Sequence, residues 1–357
     1  MARDILDAVY GCLMGGAIGD ALGASTEGMY YKDIRSKYGR ITGFMSYDKI
    51  AYSSGLPGAV TDDTTLNYYM CLAIVRKGGR ITPDDAAKIW MEELNPDRFW
   101  SPDKIAYMKL KAGVSPWDAG RDNIPSACAT MAMAPIGIIN AGNPTQAYQD
   151  GHDIAGINGD GFNRDAPATL AAGVAAALMP GIKVDEVVEI MTNHSSYLVK
   201  RAIELTIDLA SASDSVDDFT ERFYDKMLDW WSRPGLGWRK DHFNQGTSIE
   251  TVPVAMAMLY LCQGDVNQCV IEAANFGRDA DSIASLTGAI AGAMQGASAI
   301  RQDWIETSEK ANRAFFEEVA EDTKTSFSSM ACRLVEALKS ERQAVRERAE
   351  FLDRILR

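Results

Sequence analysis

Apolar residues recur along most of the chain at the three- and four-residue spacing that is typical of helices. Two of these apolar segments begin with an N-cap residue followed by proline, at Thr82-Pro83 and at Asn143-Pro144. The exception to this helical pattern is residues 41–52, which would fit a short β-hairpin. We predict helices over 4–22, 63–77, 83–94, 126–141, 144–157, 167–178, 184–192, 197–212, 217–231, 247–262, 266–276 and 282–300. The fold class is therefore expected to be all-α.

Glycines repeat at helical spacing in the first and in the last of these segments. The first series is Gly15, Gly19 and Gly23, and the second is Gly288, Gly292 and Gly296. Such a series gives a helix a face without side chains, against which a second helix can pack closely. Because glycine inside a helix costs about 1 kcal/mol relative to alanine, we expect close packing or the geometry of a site to offset this cost.

No linker-like composition divides the 357 residues into separate domains. We predict a compact, orthogonal multi-helix single domain over 1–330 and a charged amphipathic helix over 331–357 that packs on it. The apolar stripe of this last helix would also suit a dimer contact, so the sequence leaves the oligomeric state open.

The net charge of −13 argues against a nucleic acid or an anionic membrane as a partner. A phosphorylated small molecule is still compatible with this charge, because bound divalent cations would reverse the potential locally. The apolar runs at 8–18 and 283–300 are expected to be core helices, since the first lacks a basic flank and the second is rich in small residues. Six scattered cysteines without a C-x-x-C pair favour a reducing, cytoplasmic location, and the three histidines lack the spacing of zinc ligands.

Two acidic motifs stand at the starts of predicted helices. Thr61-Asp62-Asp63-Thr64 opens the second helix, and Asp279-Ala280-Asp281-Ser282 directly precedes the second glycine series. Helix capping would explain one carboxylate at each start. Two carboxylates with hydroxyl residues at each start exceed what a cap requires, which favours a shared polar site.

The two motifs together supply four carboxylates and additional hydroxyl oxygens. An all-oxygen donor set suits hard cations such as Mg²⁺ or Mn²⁺, and four aspartates that converge without cations would repel one another. The candidate metal ligands are Thr61, Asp62, Asp63, Asp279, Asp281 and Ser282. Glu27 ends the first glycine-rich helix and could lie beside them, whereas Asp20 is expected to be buried and hydrogen-bonded.

Three sequence blocks, in this order, resemble a known family. The first reads G-C-L-M-G-G-A-I-G-D-A-L-G-A-S-T-E from residue 11, the second is T-D-D-T at 61–64, and the third is D-A-D-S-I-A at 279–284. These blocks, with a small-residue run at 127–137, resemble the ADP-ribosylglycohydrolases. The resemblance implies an all-α fold with a central two-metal cleft, two divalent cations (Mg²⁺ or Mn²⁺), and hydrolysis of the bond between a ribosyl group and its acceptor. It also implies that Glu27, Asp62 and Asp281 are the catalytic residues.

Some positions depart from the family pattern. Arg278 stands where the family has glycine, Ala280 and Ser282 stand where it has threonine, and Ala132 stands where it has arginine. The segment 157–165 has no counterpart of the family's histidine-containing segment that shapes the nucleotide pocket. The candidate substrate contacts, chosen by motif position, are Asn123, Ser126, Asp160, Phe162 and Asn163. The tryptophan-rich segment 230–238 is more typical of surface packing than of a cleft wall.

The leading hypothesis is metal-dependent hydrolysis of an N-glycosidic bond between an (ADP-)ribosyl group and an acceptor, in a small-molecule or ADP-ribosylated substrate. In this mechanism the ribose hydroxyls and a water molecule bind the cations, while a carboxylate such as Glu27 moves protons. The divergence at 157–165 favours, as an alternative, a smaller N-riboside or another N-glycosylated metabolite. A catalytically silent ligand-binding protein on the same fold is an alternative of another class.

Overall fold

The computed structural model describes residues 4–48, 53–227, 247–319 and 325–356. These residues form helices and no strand, which confirms the predicted all-α class. The α-helices are α1 (Ile5–Gly23), α2 (Tyr31–Tyr38), α3 (Asp62–Lys77), α4 (Pro83–Glu93), α5 (Ser101–Lys111), α6 (Cys128–Met131), α7 (Ala134–Ile139), α8 (Pro144–Ala155), α9 (Phe162–Ala177), α10 (Val184–His194), α11 (Tyr197–Ser211), α12 (Val216–Arg222), α13 (Ser248–Leu261), α14 (Val266–Phe276), α15 (Ala280–Gln295), α16 (Gln302–Ala311), α17 (Arg313–Val319) and α18 (Phe327–Ile355).

Local capping chemistry sets many of the helix starts. The Asp4 side chain accepts a hydrogen bond from the Leu6 amide at the start of α1, and Thr82 forms a capping box with Asp85 at the start of α4. These starts agree with the sequence prediction to within a residue. The predicted helix 217–231 is described as α12 followed by a π-helical turn to Met227, and its end lies outside the described residues.

Four predicted segments differ clearly from the structure. The helix predicted over 167–178 begins five residues earlier, at Phe162, and has Pro167 in its interior. The predicted helix 126–141 is divided into α6 and α7, because Pro135 has no N–H to donate to the preceding turn. The predicted helix 282–300 ends at Gln295, where Gly296 adopts a positive φ of 86°. The predicted hairpin forms no strand over 41–48, and residues 49–52 lie outside the described residues.

The contact between α1 and α15 is the most extensive helix pairing in the fold. The two glycine series face each other, so that the backbone of Gly15 lies directly against the carbonyl group of Gly288. A methyl group at either position would lie far inside van der Waals contact with backbone atoms. This close approach explains glycine in both helices, and it brings the polar ends of α1 and α15 together.

The helix α1 is also long and apolar enough to cross a membrane, by length and composition alone. In the described part of the chain it is instead a core helix, with 78% of its most apolar window buried inside the protein. It packs against α14, α15 and α18.

The last helix, α18, begins at Phe327, so the predicted boundary at residue 331 falls within it. Its first half packs against α1, α3 and α7 and buries Met330 and Leu334. From residue 342 onwards the helix is exposed, and Val345 and Ile355 are 59% and 61% exposed. Packing on the body is thus confined to the first half, and the dimer contact stays a prediction.

Candidate active site

The first acidic motif is held at the start of α3 by a carboxylate of α1. Thr61 is the N-cap, and its side chain accepts a hydrogen bond from the Asp63 amide. The buried Asp20 carboxylate accepts hydrogen bonds from the Thr61 amide, the Thr64 amide and the Thr64 hydroxyl, at 3.0–3.1 Å for the amides and 2.5 Å for the hydroxyl. Asp20 is thus buried and hydrogen-bonded, as the sequence predicted, and it fixes the turn that carries Asp62 and Asp63.

The second acidic motif is held by backbone hydrogen bonds and by a buried ion pair. The Arg278 amide donates to the Met29 carbonyl, and the Gly28 amide donates to the Arg278 carbonyl, so the turn lies beside Glu27. The Arg278 guanidinium donates from Nε and Nη2 to the two Glu250 carboxylate oxygens, at 2.5 and 2.9 Å. Arg278 has a φ of 61°, which explains why glycine can also stand at this position.

The two motifs meet in space. The Thr61 hydroxyl lies 3.5 Å from the Asp281 carboxylate, and the Ser282 hydroxyl lies 3.4 Å from the Asp63 carboxylate. Carboxylate oxygens of Glu27, Asp279 and Asp281 lie within 4.8 Å of one another. Stretches of chain more than 200 residues apart therefore contribute oxygen atoms to a single cluster.

Burial makes this cluster electrostatically unfavourable without cations. Desolvation raises the pKa of Asp20 to about 6 and that of Asp279 to about 7, and Glu27 contributes further to the rise at Asp279. Desolvation also raises the pKa values of Asp62, Asp63 and Asp281 well above their usual range, and neighbouring carboxylates raise them further. The carboxylates thus resist ionisation unless positive charge is supplied.

The donor set fits hard divalent cations. The Asp63 Oδ1 and Asp279 Oδ2 atoms are buried, and within the described part of the chain neither has a hydrogen-bond partner. Among the described residues, none of the four motif aspartates forms an ion pair with lysine or arginine. Buried carboxylate oxygens without partners, next to hydroxyl oxygens, are the ligands that Mg²⁺ and Mn²⁺ prefer. The residues present therefore suit such ions.

The acidic cluster lines a cavity. Its lining residues are Glu27, Asp62, Asp63, Trp100, Ser126, Ala127, Cys128, Met131, Arg278, Asp279, Asp281 and Ser282. Trp100 is 43% exposed, and the aspartates Asp62 and Asp281 are buried. The lining thus combines acidic side chains with small, apolar and aromatic ones.

The predicted substrate contacts lie in different places. Ser126 lines the cavity. Asn123 and Asn163 are buried with structural partners: Asn123 donates to the carbonyls of Pro102 and Asn158, and Asn163 accepts from the Ser248 hydroxyl. Asp160 is exposed and accepts from the Gly161 amide, and the partly buried Phe162 packs against the core. These four residues are not among the cavity-lining residues, and the tryptophan-rich segment 230–238 lies outside the described residues.

Sequence reasoning does not assign several residues that line or support the cavity, among them Arg278, Glu250 and Trp100. Arg278 stands out in the sequence only as a departure from the family pattern, and Glu250 and Trp100 do not stand out at all. A basic residue directly before an Asp-x-Asp motif is a usable signal for Arg278. Glu250 carries no comparable signal, because its partner is 28 residues away in the chain.

The comparisons with known proteins agree with the fold. The ADP-ribosylglycohydrolase family profile matches residues 1–342. YegU of Escherichia coli (strain K12), an uncharacterized protein, is 24% identical over 316 residues that cover 82% of this chain and 89% of YegU. An uncharacterized protein of Archaeoglobus fulgidus is 28% identical over 315 residues that cover 87% of this chain and 93% of that protein.

A solved structure described as an ADP-ribosylglycohydrolase-related protein complex has the same fold. It matches with a TM-score of 0.67 at 19% identity, and the match covers 94% of this chain and 99% of that chain. The family profile extends over nearly the whole chain and includes both acidic motifs. The chain therefore belongs to the ADP-ribosylglycohydrolase family, whose members are in general glycohydrolases.

Proposed function

We propose that this protein is a metal-dependent hydrolase that cleaves the N-glycosidic bond between an (ADP-)ribosyl group and an acceptor. The observation that carries the proposal is the meeting of the two acidic motifs around buried carboxylate oxygens without partners. Six residues would hold two divalent cations, Mg²⁺ or Mn²⁺: Thr61, Asp62, Asp63, Asp279, Asp281 and Ser282. When bound, the cations would supply Lewis acidity to the ribose hydroxyls and to water.

Glu27 is suited to move a proton in this reaction. Its carboxylate lies within 4.8 Å of Asp279 and Asp281 and lines the cavity, where a substrate could reach it. Burial raises the pKa of Glu27, and the Asp20 carboxylate raises it further. A carboxyl group with a raised pKa can take a proton from water and return it to the leaving group near neutral pH.

Two of the carboxylates that would hold the cations, Asp62 and Asp281, would also have an electrostatic role in the proposed reaction. Departure of the acceptor leaves positive charge on the sugar ring, and Asp62 and Asp281 line the cavity in which that charge would develop. Fixed carboxylates in a site that excludes water stabilise such charge more strongly than water does. Trp100 lines the same cavity, and its aromatic side chain would suit contact with the ribose or with a flat leaving group.

A smaller N-riboside is the second candidate substrate. Of the five candidate substrate contacts chosen by motif position, only Ser126 lines the cavity; Asn123, Asp160, Phe162 and Asn163 are not among its lining residues. A substrate without the ADP moiety would need contacts near the acidic cluster alone. This observation favours keeping nucleosides among the substrates to be tested.

The metal site is tested by the variants Asp62→Asn and Asp281→Asn. Each removes one negative charge while it keeps the side-chain shape, so we expect Mg²⁺ affinity to fall by more than about 100-fold and turnover to be lost. Calorimetry with Mg²⁺ and with Mn²⁺ measures the affinity. Asp353→Asn makes the same chemical change on the exposed part of α18 and serves as the matched control. Full activity in Asp281→Asn would refute the assignment.

The substrate is tested by incubating the purified protein and Mg²⁺ or Mn²⁺ with ADP-ribosyl-arginine, ADP-ribosyl-serine and simple nucleosides. Release of ADP-ribose from ADP-ribosyl-arginine supports the leading proposal, and release of free ribose from a nucleoside supports the second candidate. Release of ADP-ribose from ADP-ribosyl-serine alone would mean that the site cleaves an O-glycosidic bond instead of an N-glycosidic bond. Metal binding without turnover or binding of any of these compounds would favour a silent ligand-binding protein.

A further inference from the structure

The second half of α18 presents an apolar stripe that the described part of the chain leaves uncovered. Every residue from 342 to 356 is exposed. Val345, Leu352 and Leu356 are 59%, 42% and 83% exposed, respectively. The helical repeat places these three side chains on one face of α18, together with Leu338 of the first half. Single apolar residues are common at protein surfaces, whereas a continuous apolar stripe marks a surface that binds a partner.

The stripe leads into a groove between α18 and the body of the protein. Leu338 and Val345 line the groove on the α18 side, and Ile5 and Ile139 line it on the opposite side, from α1 and α7. The groove has a volume of about 660 Å³, which is within the range of pockets that enclose a whole small molecule. Since Leu338 and Val345 belong both to the stripe and to the groove, the two form one apolar surface.

Neither the shared fold nor the acidic site accounts for this surface. The family profile matches residues 1–342, so the exposed half of α18 lies beyond the part of the chain that the family fold explains. None of the described residues that line the acidic cavity belongs to α18. The apolar side chains of the exposed half therefore need a separate explanation.

The charges beside the stripe indicate which partner fits it. Along one flank of α18 the basic residues Lys339 and Arg346 come first, and the acidic residues Glu350 and Asp353 follow. An antiparallel pair of these helices would place the basic half of one flank against the acidic half of the other, with Arg346 opposite Glu350 of the second copy. A parallel pair would set like charges at the same level. The charge pattern thus favours a second copy of this chain in antiparallel orientation.

We propose that this surface is a homodimer interface, in which the exposed half of α18 from each copy lies antiparallel along the α18 stripe and groove of the other. The arrangement has twofold symmetry, so each copy contributes one helix end and one groove. A stable interface buries about 800 Å² per partner. The symmetric arrangement helps to reach this area, because each copy becomes buried on its helix end and in its groove. The proposed dimer does not depend on the proposed function.

Sedimentation velocity of the full-length protein over a range of concentrations tests the dimer. We expect the wild type to be mostly dimeric at about 10 μM. Leu352→Glu places a charge in the middle of the stripe and should raise the dimer Kd by more than about 100-fold. Met108→Glu makes a matched change on α5, at a 69% exposed residue that does not line the groove, and should leave the Kd unchanged.

Charge reversal tests the antiparallel orientation. Arg346→Glu and Glu350→Arg each place like charges opposite one another at both ends of the symmetric contact, so each should raise the dimer Kd by roughly 10-fold. A mixture of the two variants should form a heterodimer with nearly the wild-type Kd, because opposite charges then face each other at both ends. The double variant Arg346→Glu/Glu350→Arg should recover the homodimer for the same reason. High salt should weaken these differences.

Several outcomes would overturn the proposal. A wild type that stays monomeric up to about 100 μM has no such dimer. If that monomer also loses thermal stability in Leu352→Glu, another segment of the same chain covers the stripe. A dimer that tolerates Leu352→Glu forms through a different surface, and a mixture of the charge variants that does not form the heterodimer excludes the antiparallel pairing. Because the altered residues are exposed, circular dichroism and melting temperatures of the variants should match those of a wild-type sample at equal dimer occupancy.

Discussion

The two ends of the acidic site present the same chemistry but are held by opposite kinds of support. At the start of α3, the carboxylate of Asp20 holds the turn by accepting three donors, which adds a negative charge to a negative cluster. At the start of α15, the Arg278–Glu250 pair holds the turn and adds no net charge. We call these the Asp20 end and the Arg278 end.

This contrast indicates which conditions should weaken each end. The Asp20 end rests on a buried carboxyl group, so it becomes less favourable as that group loses its proton. The Arg278 end depends on two buried charges that must both be present. The first end should respond to pH and to cations, and the second should respond to the loss of either partner.

The strongest response that we expect is the pH dependence of the metal-free protein. Burial raises the pKa of Asp20 from 3.8 to about 6 and that of Asp279 from 3.8 to about 7. The pKa of each group in the unfolded chain is 3.8, so its contribution to the stability of the fold is complete below pH 3.8. That contribution to stability is lost as the pH rises through the higher pKa of the folded state. Since a tenfold change in proton affinity corresponds to about 1.4 kcal/mol, we expect metal-free stability to fall by several kcal/mol between about pH 4 and 7.

Urea unfolding at a series of pH values, with a chelator or with Mg²⁺, measures this effect. Cations favour the ionised carboxylates, so Mg²⁺ should remove most of the fall. Asp20→Asn should remove the part of the fall near pH 6 that belongs to the Asp20 end. Parallel pH curves with and without Mg²⁺ would contradict the picture of an acidic cluster that needs cations.

The second largest effect that we expect is a loss of stability when the ion pair at the Arg278 end is broken. Glu250→Gln leaves the Arg278 guanidinium buried without a counter-charge, so we expect a loss of about 3–5 kcal/mol in the free energy of unfolding. The double variant Glu250→Met/Arg278→Met removes both charges and should recover most of that loss. Chemical denaturation at pH 8 with Mg²⁺ measures both proteins. A loss below about 1 kcal/mol in Glu250→Gln would mean that the pair does not hold this end.

The distance between the two ends depends on the packing of α1 against α15. A methyl group on Gly15 would collide with the Gly288 backbone, whereas one on Gly16 would make ordinary contacts of about 3.6 Å. Gly15→Ala should therefore lose about 2–3 kcal/mol of stability. Gly16→Ala should be neutral or gain up to about 1 kcal/mol from helix propensity. Thermal unfolding of the two variants measures the contrast, and similar melting temperatures would contradict it.

The sequence predicts the parts of this architecture that rest on local or repeated signals. Capping residues predict the starts of α1 and α4, and the two glycine series predict the close pairing of α1 and α15. The acidic motifs predict their own convergence because each supplies more carboxylates than a helix start needs. Each of these signals is a short motif or a repeat within one segment of the chain.

The supports of the site could not be predicted in the same way. Asp20 contacts a turn more than 40 residues away, and Glu250 and Arg278 pair across two helix ends. A single long-range polar contact leaves no period in the sequence, so its partner cannot be identified from one chain. The substrate contacts chosen by motif position, such as Asn123 and Asn163, have structural partners for the same reason: an amide side chain fits either role.

The smallest loss of stability that we expect distinguishes two neighbouring threonine hydroxyls at the Asp20 end, those of Thr64 and Thr65. The Thr64 hydroxyl donates to Asp20 at 2.5 Å, whereas the Thr65 hydroxyl donates to the Thr61 carbonyl one turn back in the same helix. Thr64→Val keeps the side-chain shape and removes a hydrogen bond to a buried carboxylate, so it should cost about 1.5–2 kcal/mol. It should also raise the pKa of Asp20 further, because this hydrogen bond lowers that pKa. Thr65→Val should change stability by less than about 0.5 kcal/mol, since hydrogen bonds back to the preceding turn add little to a helix. Urea unfolding of both variants at pH 5 and pH 8 measures the difference, and equal losses would mean that Asp20 does not depend on Thr64.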